Sequence, residues 1–326
     1  MTRPSRRTFN RTLAQLATGL ALAATGLLGS TPGWAADGAI VRIGYQKYGT
    51  LTMLKAKGDL EKRLAPLGVN VKWVEFPAGP QLLEGLNVGS IDFGNVGEAP
   101  PIFAQAAGAD LVYVANQPPA PSAEAIVVPK GSTIKSVAEL KGKKIALNKG
   151  SNVHYLLVKA LEKAGLQYTD VQTVFLPPAD ARAAFERGSV DAWAIWDPFL
   201  AAAEKQIGAR VLADGRGLVA NLQFYLASRP YATKNPGVIK AIVSELQKVD
   251  VWAGQNAKAA AEVLAPQIGL NLDTTDLSVR RFTLGIQPIT LSVAAEQQKI
   301  ADSFYALKLI PKAIVIKDAL PEGVAK

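Results

Sequence analysis

Residues 143–164 read KKIALNKGSNVHYLLVKALEKA. Lys143 to Leu147 ends in an apolar triplet that suits a short buried strand. Asn148-Lys149-Gly150 is turn chemistry. Ser151 or Asn152 can then cap a helix running from Val153 to Ala164. A strand that leads through a glycine turn into a helix is the unit of α/β folds, and its repetition gives a mostly parallel sheet.

The unit recurs on both sides. Upstream, Ile40–Tyr45 is a strand followed by a helical pattern over Leu51–Leu64, and Val69–Phe76 alternates at period two as the next strand. Gly79 and Pro80 break it before a short helix over 81–87. Ile91–Gly94 is a further strand, followed by a helix over 100–107 and strands at 111–115 and 125–128. Downstream, strands are expected at 171–176 and 192–196, with helices at 180–187 and from Phe199. From Pro236 onward the chain is alanine-rich, with helices expected over 238–252, 257–268, 275–284 and 291–307. Pro118, Pro119 and Pro121 mark one crossing between two lobes near 116–124, and a return falls near 215–221. Residues 36–120 and 221–326 would then form one lobe and 121–220 the other. A single doubly wound domain fits the same rhythm.

Residues 1–35 read as an export leader. Arg3, Arg6, Arg7 and Arg11 make a basic start, Leu13–Leu28 an apolar stretch, and Gly33-Trp34-Ala35 a small-x-small cleavage site. Ser5-Arg6-Arg7-Thr8-Phe9 resembles the twin-arginine export motif, with Asn10 departing from its usual leucine. Removing those four arginines lowers the formal charge from +9 to about +5, a modest excess that favours anions. The lysines are dispersed, so nucleic acid is not an expected partner. The chain has no cysteine and a single histidine, His154. That excludes thiolate chemistry and disulfides and leaves no pattern for a metal or other cofactor.

Several strand-to-helix turns can cradle an anion, because the first-turn amides of a helix are free and its dipole is positive there. In 148–155 the candidates are Ser151, Asn152 and His154. In 95–101 they are Gly97, Glu98 and Ala99, with the Glu98 backbone favoured over its carboxylate, which would repel an anion. After the first strand, Gln46 can donate a hydrogen bond and Tyr48 can form an apolar wall. Trp196 ends the 192–196 strand and can cover an organic tail, while Asp197 can cap the next helix or engage a polar ligand group. Each turn is also readable as an ordinary cap, and Trp196 as core. Arg229 can enter a cleft or lie on the surface. Ser151 and His154 share one turn without a nucleophile-elbow motif, which argues against an exported enzyme.

Taken together, Gly89–Pro101, Ala123–Val128, Leu140–Ala146, Lys149–His154, Leu176–Ala181 and Gly188–Pro198 closely resemble the aliphatic-sulfonate/taurine-type substrate-binding proteins of ABC importers. The resemblance implies a two-lobed α/β periplasmic binding protein of type II, with two hinge strands and a ligand cleft between the lobes. It also implies a monomer that captures a small organosulfonate without covalent chemistry and passes it to a membrane permease. Gln46, Gly97–Ala99, Ser151–His154 and Trp196–Asp197 would form the pocket. Taurine, aryl sulfonates, sulfate esters, nitrate and thiamine precursors remain alternative ligands.

Overall fold

The computed structural model describes residues 39–324, so the expected leader lies outside the described residues. In chain order the elements are β1 (Ala39–Tyr45), α1 (Gly49–Lys57), α2 (Asp59–Leu64), β2 (Val69–Glu75), α3 (Gly79–Asn87), β3 (Phe93–Gly97), α4 (Ala99–Ala106), β4 (Leu111–Gln117), β5 (Glu124–Val128), β6 (Lys144–Leu147), α5 (Asn152–Lys163), β7 (Gln172–Phe175) and α6 (Pro178–Glu186). They continue with β8 (Ala192–Trp196), α7 (Phe199–Ile207), β9 (Arg210–Asp214), β10 (Gln223–Ser228), α8 (Arg229–Lys234), α9 (Pro236–Gln255), α10 (Ala257–Ile268), α11 (Leu272–Arg281), β11 (Gln287–Pro288) and α12 (Leu291–Ala306).

Two sheets carry the architecture. One has the order β11-β4-β10-β3-β1-β2 and the other β7-β6-β8-β5-β9. The chain leaves the first sheet after β4, enters the second at β5, and returns from β9 to β10. The molecule is therefore a two-lobed α/β protein. The sheets are mixed rather than mostly parallel. β1 runs parallel to β2 and β3, but β10 is antiparallel to β3 and β4, and β5 is antiparallel to β8 and β9. β11 is also antiparallel to β4; β5 and β10 are the strands that arrive from the other sheet, a direction that local sequence does not record.

Burial explains most of the elements. Leu51, Met53, Leu54 and Leu60 pack with Val41, Ile43 and Phe93 and with Ile242 and Leu246 of α9 on one face of the first sheet. Ala181 and Phe185 of α6 and Leu200 of α7 cover the matching face of the second around Trp193. A third core joins the two lobes, with Val96 and Ile102 on one side, Leu147, Val153 and Leu156 on the other, and Phe304 of α12 among them. The single helix expected over 51–64 is broken at Gly58, which adopts φ +64 and ends α1 with a left-handed cap. β10 carries no alternation because its first five residues are all buried, as expected for a central strand covered on both faces.

Candidate functional site

Between the sheets lies a small cavity of about 30 Å³, lined where strands run into helices. Gln46 and Tyr48 precede α1, and Gly79 opens α3. Gly97 and Pro100 flank the start of α4, and Ser151 and Asn152 begin α5. Trp196 ends β8. Ala123, Asn221 and Gln223 come from the two crossing segments, and Phe282 from the residue after α11. None of these lining residues is charged.

Four helix N-termini thus meet at one point. The N-cap positions of α1, α3, α4 and α5 make no side-chain capping bond. Such helix ends are suited to anionic oxygens where their amides are free; in α4 the Ala99 N–H is taken by Asn152 and Pro100 and Pro101 have none, so α1, α3 and α5 offer the amides. The walls are aromatic. Tyr48 stacks on Phe282 with centroids 5.8 Å apart, and Trp196 meets Phe199 edge-on at 6.2 Å.

A chain of neutral hydrogen bonds fixes the lining. The Tyr48 hydroxyl donates to Gln223 Oε1 at 2.8 Å, and Asn152 Nδ2 donates to Asn221 Oδ1 at 2.6 Å. Asn152 Oδ1 accepts the Ala99 N–H at 3.1 Å, which ties the start of α4 to the start of α5 across the lobes. A side chain on Gly97 would overlap that Asn152 amide, so glycine permits the close approach. Gln46 Nε2 donates to the Asn95 carbonyl at 3.0 Å. Asn221 sits at φ 52, and its backbone N–H donates to Glu98 Oε1 at 3.2 Å while that of Leu222 donates to Glu98 Oε2 at 2.9 Å.

Six sequence candidates, Gln46, Tyr48, Gly97, Ser151, Asn152 and Trp196, therefore come together at the cavity. Four others stand behind it. Glu98 is fully buried and turned to the returning segment; burial raises its pKa to about 7 against the pull of the two backbone N–H groups. Ala99 is buried and offers its N–H to Asn152. Asp197 is buried, accepts the Ala201 N–H at 2.9 Å as a helix cap, and lies 3.4 Å from Arg281; burial raises its pKa to about 7, opposed by that guanidinium.

His154 faces away from the cavity. It lies two residues beyond Asn152, which places it on nearly the opposite side of α5. Its Nδ1 accepts the Gly150 N–H at 3.2 Å, and its Nε2 is 2.7 Å from the Tyr168 hydroxyl. The ring packs among Phe103, Phe175 and Phe304, and burial, aided by the charge of Lys149, lowers its pKa to about 4. Arg229 is likewise outside the cavity, paired with Asp110 at 2.9 Å beyond the far end of β10.

Asn221, Gln223, Phe282, Gly79, Pro100 and Ala123 line the cavity but were not singled out in the sequence. Asn221 and Gln223 reach it only because β10 returns between β3 and β4, and Phe282 because a C-terminal helix comes back to the cleft. The segments of Asn221, Gln223 and Phe282 carry no motif. Among the described residues no cluster of His, Cys, Asp and Glu is placed to hold a metal ion.

The NMT1/THI5-like family matches residues 65–260. An aliphatic sulfonates-binding relative from Escherichia coli (strain K12) is 49% identical over 305 residues, spanning 92% of this chain and 95% of that protein. The alkanesulfonate-binding protein from Xanthomonas axonopodis pv. citri, solved bound to MOPS, is 45% identical with a TM-score of 0.84 over 88% of this chain and 99% of that one. The periplasmic aliphatic sulphonate binding protein from Escherichia coli is 49% identical with a TM-score of 0.78, covering 87% of this chain and 92% of that chain.

Proposed function

This chain belongs to the aliphatic sulfonate-binding family of NMT1/THI5-like proteins, and we propose that it is a periplasmic receptor that captures an aliphatic sulfonate and delivers it to an ABC permease. The observation that carries the ligand class is the convergence of the N-termini of α1, α3 and α5, none capped by its own N-cap side chain, on an uncharged, aromatic-walled cavity. A sulfonate spreads one negative charge over three acceptor oxygens, and amides around such a cavity match that pattern without a counter-ion. Gln46, Gly97, Ser151 and Asn152 surround the head group, and Tyr48 and Trp196 flank the first carbons of the tail. Glu98, Ala99, His154 and Asp197 act from behind, holding the turns that present those groups.

The cycle is capture and release with no covalent step. Closing the lobes excludes water and strengthens each directed hydrogen bond, and the ligand shifts the open–closed population by its preference for the closed form. In this reading residues 1–35 are a twin-arginine leader, 36–120 and 221–326 form one lobe, 121–220 forms the other, and the mature protein is a monomer. The change of sheet after Gln117 and before Gln223 supports those boundaries. Calorimetric titration of the mature protein with ethanesulfonate, sulfate, nitrate and a thiamine precursor tests the ligand class. Saturable one-to-one binding of the sulfonate that sulfate does not compete away is the expected result. Tight binding of nitrate or the heterocycle without sulfonate binding would overturn the reading.

A further inference from the structure

One buried carboxylate holds the aromatic wall of the cavity from outside. Asp250 belongs to α9, is 1% exposed and does not line the cavity. Three segments far apart in sequence converge on it. The Thr50 hydroxyl, in the first turn of α1, donates to its Oδ1. Gln117 Nε2, at the end of β4, lies 2.8 Å from Oδ2 and 3.0 Å from Oδ1, and 2.9 Å from the Thr50 hydroxyl oxygen. The Gly285 N–H donates to Oδ2 at 2.9 Å. A carboxylate suits this place because both of its oxygens only accept and all three partners donate, whereas an amide would turn an N–H towards a donor.

Each partner is one step from the wall. Thr50 follows closely on Tyr48, and Gly285 on Phe282. Gln117 faces Gln223 in the register of β4 with β10, and Gln223 accepts the Tyr48 hydroxyl. Phe282 also sits on a short strap across the cleft. Arg281 before it is bonded to Glu204 of the other lobe, and Gly285 beyond it is bonded to Asp250. We propose that Asp250 is a positioning residue for ligand capture. By fixing Thr50, Gln117 and Gly285 together it sets the stacking of Tyr48 on Phe282, and with it the wall against which the first carbons of the sulfonate pack. The assignment rests on the sulfonate reading above and adds a residue that acts on the ligand only through others.

The test is a double-mutant cycle of Asp250→Ala with Phe282→Ala, read by calorimetric titration of the mature protein with ethanesulfonate. Asp250→Ala is expected to weaken binding about tenfold in the wild-type background, and less than about twofold once Phe282→Ala has removed the wall. Asp250→Asn keeps the volume and one acceptor oxygen, so its loss should be only about threefold. Thermal melts establish that each variant is folded, and Asp250→Asn takes its place in the cycle if alanine disrupts the fold. The same loss in both backgrounds would make Asp250 a general support of the fold and overturn the proposal, as would an unchanged affinity in the single variant. A wild-type protein that binds no ethanesulfonate would overturn the sulfonate reading and this assignment with it.

Discussion

Single side chains behind the cavity set how the protein responds to pH. Both carboxylate oxygens of Glu124 are buried without a hydrogen-bond partner among the described residues, and burial, reinforced by the charge of Glu98, holds its pKa well above the usual carboxylate range. Glu98 and Asp197 are each raised to about 7. A raised folded pKa means that the native state holds extra protons between the unfolded and folded values. Stability from these three groups is therefore full below about pH 4 and is lost as pH rises through about 7 and beyond. His154 acts in the opposite sense, since its folded pKa of about 4 makes its contribution complete only above about pH 6.5. Above that point the carboxyls alone decide, so thermal melting measured at pH 6.5 and pH 8 is expected to show a lower midpoint at pH 8. The change is on the order of 2 kcal/mol, a shift of several degrees, and Glu124→Gln is expected to reduce it. An unchanged or higher midpoint at pH 8 would show that these carboxyls do not govern stability. At the same scale, Asn152→Ala strands the Ala99 N–H and leaves Asn221 Oδ1 with only the 3.4 Å bond from Gln223, and sulfonate affinity measured by titration should fall about tenfold.

At the scale of elements, the two lobes meet through helix ends rather than through the sheets. The β3–α4 turn approaches α5 so closely that Gly97→Ala would push against the Asn152 amide. Titration and melting of this variant should give at least tenfold weaker binding with a melting midpoint within a few degrees of wild type, because the strain falls on the closed arrangement; a normal affinity would show that the turn yields. On the other side of the cleft Arg281 of α11 reaches Glu204 of α7 at 2.5 Å and Asp197 at 3.4 Å. Arg281→Met leaves the buried Asp197 carboxylate without its guanidinium. Chemical denaturation should report a loss of about 2 kcal/mol, and titration a several-fold weaker affinity. Wild-type values in both measurements would make this ion pair incidental. Most elements were legible in the sequence at this scale. The helix at 152–163 and the strand at 192–196 carried apolar runs bounded by glycine, proline and cap residues. β9 and β10 escaped because neither alternates in burial and the role of each depends on neighbours far along the chain.

The whole molecule has a small cavity between its two sheets and cores on either side of each sheet. α12 packs Phe304 against Phe103 of α4 and against His154 and Tyr155 of α5, so the C-terminal segment bridges both lobes. Small-angle scattering of the mature protein should give a monomer with a radius of gyration near 19 Å when saturated with ethanesulfonate, and a larger radius without it. Identical radii in both states would rule out closure as the capture step.

Local chemistry by itself determined the α/β class, the strand-to-helix turns, and six of the residues that meet at the cavity. Those signals are short-range: a glycine, a cap and an apolar run lie within a dozen residues of one another. Only the tertiary structure decided that β5 and β10 enter their sheets antiparallel, that Asn221, Gln223 and Phe282 join the lining, and that His154 turns its back on it. Each of those outcomes depends on which distant segments pack together. Strand direction follows the crossing between lobes, and the face a helix shows to the cleft follows the core that its other face must bury.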